Sequence, residues 1–167
     1  KALARLRNRA QCWQAAGRRE PALTAYRDCE RAALADGDWV GALDSTLSQG
    51  AVLAEMRQWP AAAEATARCI AMCWLHHHAH GLGYALWNQA RVFARLRRPE
   101  AAARLMAFAE HFWTSRFGPL RAADRRYPLR VHALVAAQVG AARCETLWAE
   151  GRTQTLGQAV AQGGHHR

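Results

Sequence analysis

The sequence AQCWQAAGRREPA (residues 10–22) returns in altered form as GAVLAEMRQWPAA (50–62) and as ARVFARLRRPEAA (90–102). At this shift of 40 residues, small and large apolar positions recur in register. The small columns are Ala10, Gly50, Ala90 and Ala22, Ala62, Ala102, and a large column is Trp13, Leu53, Phe93. Self-similarity at a fixed interval is the signature of stacked copies of one packing unit. We therefore expect three similar units.

Each unit is predicted to hold two helices, because apolar residues recur at spacings of three and four on both sides of a polar turn. Pro21, Pro60 and Pro99 stand at or near the start of each second helix, where a missing amide hydrogen costs little. The sequence thus predicts three helical hairpins within residues 1–116, over about 2–35, 39–76 and 80–115. The small columns let the two helices of a hairpin approach closely.

These columns resemble the tetratricopeptide-repeat family. Counting the family's 34-residue unit from Leu3, Leu43 and Gly83 places its small and large positions on the columns given above, and its small twenty-seventh position on Cys29, Cys69 and Ala109. The chain departs from the family where its usual leucine is Arg9, Gln49 and Gln89, and each unit is about six residues longer, without the closing proline. The resemblance implies an all-α, right-handed solenoid of antiparallel helical hairpins with a period of about 40 residues.

The last part of the chain is predicted to close the array. Helix breaks at 117–119 and at Tyr127-Pro128 predict short helices near 120–126, 128–139 and 141–150, and Thr155 is placed to cap a last helix over 156–162. An array of repeats needs a lid over its last apolar face. We therefore expect residues 117–167 to form C-terminal capping helices and a flexible tail.

The longer units and residues 99–162 also resemble the helical-repeat region of bacterial LuxR- and AfsR-type or winged-helix transcriptional regulators. In those proteins a DNA-binding domain and a STAND-type ATPase precede the repeats. The resemblance implies a cytoplasmic, non-catalytic domain that binds a protein, a peptide, a small effector or other domains of the same polypeptide. Lys1 already lies inside an amphipathic pattern, which favours a fragment of a larger protein.

The family's helix positions place candidate partner-binding residues on the concave side of the solenoid, which the first helices of successive units line. They are Arg7, Gln11, Asp44, Leu47, Tyr84, Trp87, Asn88, Arg91 and Arg95. Arginine forks beside aromatic faces would suit a peptide carboxylate or an acidic segment. For Trp87 and Tyr84 the alternative is a structural role, in packing against the next hairpin.

The net charge of +10, with ten arginines between Arg91 and Arg130, raises the question of nucleic acid. The competing explanation is that arginine stems cover apolar surface while their heads stay solvated. No aromatic-interleaved basic loop and no helix-turn-helix pattern accompanies the charge, so we expect no DNA contact by this segment. A nucleic-acid-binding repeat that uses the arginine-rich face stays the alternative function.

The five cysteines are an odd number in a chain without a secretion signal, which argues against a disulfide framework. Cys12, Cys29 and Cys69 are expected to be buried packing groups, because they occupy small or apolar columns. A metal site is a further alternative, since a helix would bring Cys69, Cys73 and His76 or His77 to one face, with His80 nearby. The histidines 76–78 align with the turn at 36–38, however, so we expect neither a metal nor another cofactor.

Other classes are excluded by what the sequence lacks. No apolar run approaches the ~20 residues of a membrane span, so no membrane contact is expected. No phosphate-cradling loop and no nucleophile with a motif-placed base is present, so no enzymatic activity is expected.

Overall fold

The computed structural model describes residues 2–164, and side chains from residue 3 onward. This part of the chain is all-α, as predicted, and contains no strand. The helices are α1 (Ala2–Ala15), α2 (Arg19–Ala35), α3 (Trp39–Glu55), α4 (Trp59–Leu75), α5 (Ala79–Arg95), α6 (Pro99–Phe117), α7 (Arg126–Val139), α8 (Ala141–Arg152) and α9 (Leu156–Gly164). The tail predicted to be flexible includes residues 165–167, which lie outside the described residues.

The first six helices are joined by five turns of one design, spaced 20 residues apart. In each turn an amide N–H donates to the carbonyl five residues earlier, from Arg18 to Trp13 in the first turn and from Arg98 to Phe93 in the last, at 2.8–3.0 Å. The residue before each donor has a positive φ of 51–73°. This is the Schellman arrangement that ends a helix by satisfying its last carbonyls. The backbone turns therefore recur every 20 residues, which is half the 40-residue interval at which the side-chain pattern recurs.

Each helix from α1 to α6 packs against the next one in the chain. Helix α7 packs on α5 and α6, α8 packs on α6 and α7, and α9 lies against α4, α5 and α6. The small alanines Ala22, Ala62 and Ala102 are fully buried, as is Cys69. Small side chains at these positions allow close helix packing, since a larger group would have to displace a neighbouring helix.

The C-terminal part differs from the prediction at one helix. Residues 122–125 form a turn, and α7 begins only at Arg126, so the helix predicted near 120–126 is absent. Pro128 does not break a helix there but lies in the first turn of α7, where backbone amides lack intrahelical partners. The predicted cap at Thr155 is confirmed, because its Oγ1 accepts from the Gln158 amide while its own amide donates to Gln158 Oε1.

Cys12 was expected to be buried and is exposed, whereas Cys29, Cys69, Cys73 and Cys144 are buried. The reason is its position on α1, whose packing partner is α2, whereas α3 and α5 each pack between two helices. Val52, 40 residues further on, is fully buried. The same column therefore has different burial at the edge of the helical array and inside it.

Candidate functional site

An open groove of 610 Å³ lies along α3, α5 and α7, with α4 contributing to its floor. Its apolar lining is Leu47, Ala51, Ala54, Val92, Val131 and Leu134. Its aromatic and charged lining is Trp59, Tyr84, Tyr127, Glu55, Arg91, Arg95 and Arg130, with Asn88 between them. The volume is within the range of small-ligand sites, about 300–1,000 Å³.

Five of the predicted partner-binding residues line this groove: Leu47, Tyr84, Asn88, Arg91 and Arg95. They come from α3 and α5, which both pack against α4. Tyr84 is 48% exposed, which leaves its ring accessible from solvent.

The other four predicted residues lie elsewhere. Trp87 is only 6% exposed and belongs to the core, which matches its alternative role in packing. Arg7 and Asp44 form an ion pair with each other across α1 and α3, at 3.3 Å. Gln11 is exposed on α1, outside the groove lining. The structure therefore brings together Leu47 of α3 and four of the five predicted residues of α5, and leaves those of α1 outside the groove.

Guanidinium groups and aromatic rings alternate in the groove. The Arg91 guanidinium lies 4.1 Å from the centre of the Tyr127 ring, and that of Arg95 lies 5.9 Å from the Trp59 ring. Arg91 also donates to Asn88 Oδ1 at 3.2 Å. Such contacts hold an arginine in place without neutralising its charge.

Within the described residues, Arg91, Arg95 and Arg130 form no ion pair with a carboxylate. The carboxylate of the groove, Glu55, is already bound by Gln14 Nε2 at 2.8 Å and Arg19 Nε at 3.3 Å. Burial in the groove lowers the pKa of Arg91, and the charges of Arg126 and Arg130 add to this effect. The groove therefore concentrates positive charge that the protein itself leaves uncompensated.

Sequence reasoning missed the contribution of α7, which it assigned to the cap alone. Tyr127, Arg130, Val131 and Leu134 follow one another at spacings of three and one, and so lie on one helix face. Arg126 donates to the Tyr127 hydroxyl at 3.1 Å and, with the charge of Arg91, lowers the pKa of that phenol despite its partial desolvation. The i, i+3, i+4, i+7 spacing of these residues is visible in the sequence, but the sequence does not show against which helix this face of α7 packs.

The candidate metal ligands are not brought together. In residues 3–164 no three His, Cys, Asp or Glu side chains are grouped as a metal site would need. Cys69 and Cys73 are buried, and burial raises the pKa of both thiols, that of Cys73 to about 11. His76 stacks on Trp39, His80 contacts Trp113, and His77 lies in the turn after α4. These side chains serve packing and turns.

No helix among the described residues combines the length and the apolar composition that crossing a membrane requires.

Comparison of the chain with protein-family models, with curated proteins and with solved structures found no match.

Proposed function

We propose that this chain is a non-catalytic, tetratricopeptide-like repeat domain that binds a partner or effector in its groove. In this proposal α1–α6 are three hairpins of a right-handed solenoid and α7–α9 are its C-terminal cap. The domain would serve a cytoplasmic bacterial transcriptional regulator of the LuxR type as its interaction and sensing segment. The five identical turns and the order of helix packing support the repeat architecture.

The observation that carries the proposal is the uncompensated positive charge of the groove. Arg91, Arg95 and Arg130 line an accessible groove that also has apolar lining residues, and among the described residues no carboxylate forms an ion pair with them. All three arginines are exposed, so their guanidinium groups are accessible to a partner from solvent. Exposed arginines that lack an internal partner can pair with the anionic groups of a binding partner, which makes the charges of the two surfaces complementary.

The proposal places this domain beside the DNA-binding domain and the ATPase of such a regulator, and calorimetric titration of the chain with those domains, at two salt concentrations, tests it. We expect saturable binding that persists at the higher salt concentration. A random DNA duplex serves as the control and should not bind. Binding to the duplex that collapses with salt, as counterions are released, would instead favour the nucleic-acid-binding alternative.

A matched pair of variants separates the groove from the overall charge. Arg91→Gln removes one charge from the groove and should weaken binding of the partner domains. Arg27→Gln removes the same kind of charge from an exposed position on α2 outside the groove, and should have no effect. Equal effects of both changes would mean that net charge, and not the groove, is responsible.

A further inference from the structure

The groove is short, which limits what can occupy it. Toward α1 the side chains that would extend it are engaged with each other, Arg7 with Asp44 and both Gln14 and Arg19 with Glu55. Toward the other end, Tyr127, Arg130 and Leu134 of α7 form its wall. An extended segment running along all the helices would have to break these contacts. A compact ligand fits the 610 Å³ that remain.

The charge of the groove specifies an anionic ligand. Three arginines line it, from two different helices, and the single acidic lining residue, Glu55, is already hydrogen-bonded. The planar guanidinium group binds phosphate and carboxylate oxygens in pairs. Three such groups match a doubly charged phosphate better than a single carboxylate.

The aromatic lining specifies a second part of the ligand. The faces of Tyr127 and Trp59 are already approached by Arg91, Arg126 and Arg95. Tyr84, by contrast, has neither a ring nor a guanidinium stacked on it among the described residues, although 48% of its surface is exposed. An exposed aromatic face in a groove offers a stacking partner to a planar ring.

We infer that the groove binds a compact aromatic phosphate of the nucleoside monophosphate class, with its phosphate on Arg91, Arg95 and Arg130 and its ring against Tyr84. The inference rests on the proposed function, since it names the effector that the groove would sense. Val92, Val131 and Leu134 belong to the apolar lining of the same groove.

The test is calorimetric titration of the chain with adenosine monophosphate, adenosine and inorganic phosphate. We expect saturable binding of the monophosphate, with each of the two parts weaker by about tenfold or more, because each lacks half of the contacts. Arg91→Gln and Arg130→Gln should each weaken binding of the monophosphate about tenfold, as expected when a charge-assisted hydrogen bond is lost. Tyr84→Leu should weaken the monophosphate but not inorganic phosphate.

Arg27→Gln is the matched control and should bind the monophosphate as the unchanged chain does. Circular dichroism of every variant checks that the helices are intact. The inference would be overturned if inorganic phosphate bound as tightly as the monophosphate. It would also be overturned if Arg27→Gln and Arg91→Gln lowered the affinity for the monophosphate equally. So would binding of an acidic pentapeptide in place of the monophosphate.

The two proposals fail separately. If the monophosphate does not bind while the partner domains still bind in a manner sensitive to Arg91→Gln, only the inferred ligand is wrong. If neither binds, the groove is not the recognition site and the proposed function falls with it.

Discussion

At the residue scale, each of the five turns contains one residue with a positive φ, and these residues lie 20 positions apart: Gly17, Gly37, Arg57, His77 and Arg97. All five residues adopt φ between 51° and 73°, a region that glycine enters freely and that costs other residues about 1–2 kcal/mol. When the sequence is aligned with itself at a shift of 40 residues, Gly17, Arg57 and Arg97 fall in one column. The side chains of glycine and arginine share no chemical property that explains why they occupy the same position. Their common property is a backbone conformation, which the structure shows.

Replacing Arg97 by glycine should therefore stabilise the protein, by about 0.5–1 kcal/mol, because the relief of strain exceeds the entropy cost of glycine. The reverse change, Gly37→Arg, should lower the free energy of unfolding by a similar amount. Urea denaturation of both variants measures the difference. Unchanged midpoints in both would contradict a conformational cost at these turns.

At two of the positions where tetratricopeptide repeats usually have leucine, this chain has a glutamine that is buried and hydrogen-bonded. Gln49 donates to Glu30 at 2.6 Å and accepts from Arg68 at 3.2 Å, linking α2, α3 and α4. Gln89 donates to the carbonyls of Ala63 and Gly163, at 3.1 and 2.7 Å. Both side-chain amide nitrogens are therefore paired, as buried polar groups usually are, whereas Oε1 of Gln89 is buried without a hydrogen-bond partner among the described residues.

At the element scale, the close contact of α8 with α6 depends on Gly151. A Cβ atom at this position would overlap the Arg104 carbonyl oxygen and lie 2.7 Å from the Arg104 Cα atom. These are backbone atoms, so the helices themselves would have to separate. Arg104 and Glu150 then pair at the rim of the same contact, at 2.6 Å.

Gly151→Ala should accordingly lower the free energy of unfolding by about 1–3 kcal/mol, the usual range for overpacking a core. Gly157→Ala is the control, since a Cβ there would meet nothing within 4 Å. That change should be neutral or stabilising by up to about 1 kcal/mol, because alanine favours a helix. Thermal unfolding followed by circular dichroism distinguishes them, and equal shifts would contradict the close contact.

The elements were predictable to different degrees for a physical reason. Helices α1–α6 follow from periodic apolar residues and recurring prolines, which are local signals. The start of α7 was misplaced because Pro128 was interpreted as a break, although proline is equally suited to a first helical turn. Which of the two applies depends on where the preceding turn, at 122–125, directs the chain.

At the scale of the whole molecule, α9 ties the end of the chain back to its middle. Its Gly163 carbonyl accepts the bond from Gln89, and a Cβ at Gly163 would lie 2.7 Å from Ile70 Cδ1 and 3.2 Å from Leu86 Cδ2. Ile70 and Leu86 are among the most deeply buried side chains. Helix α9 thus covers apolar surface of α4 and α5 that is far from it in sequence.

A chain ending at Arg152 should therefore be less stable than one ending at Gly164, by about 2 kcal/mol or more. It loses a buried hydrogen bond and exposes apolar side chains to water. Thermal unfolding and binding of a hydrophobic dye measure the two effects. If both chains melt at the same temperature without added dye binding, α9 does not act as a cover.

The sequence by itself determined the all-α class, because this follows from local periodicity. The five predicted residues that line the groove came from the helix positions that the resemblance to tetratricopeptide repeats implies. Only the tertiary structure decided that Trp87 lies in the core, that Arg7 and Asp44 pair with each other, and that α7 adds Tyr127 and Arg130 to the groove. The physical reason is the distance along the chain over which each kind of interaction acts. Helix propensity acts within a few residues, whereas burial and charge pairing depend on which distant helix packs against each face.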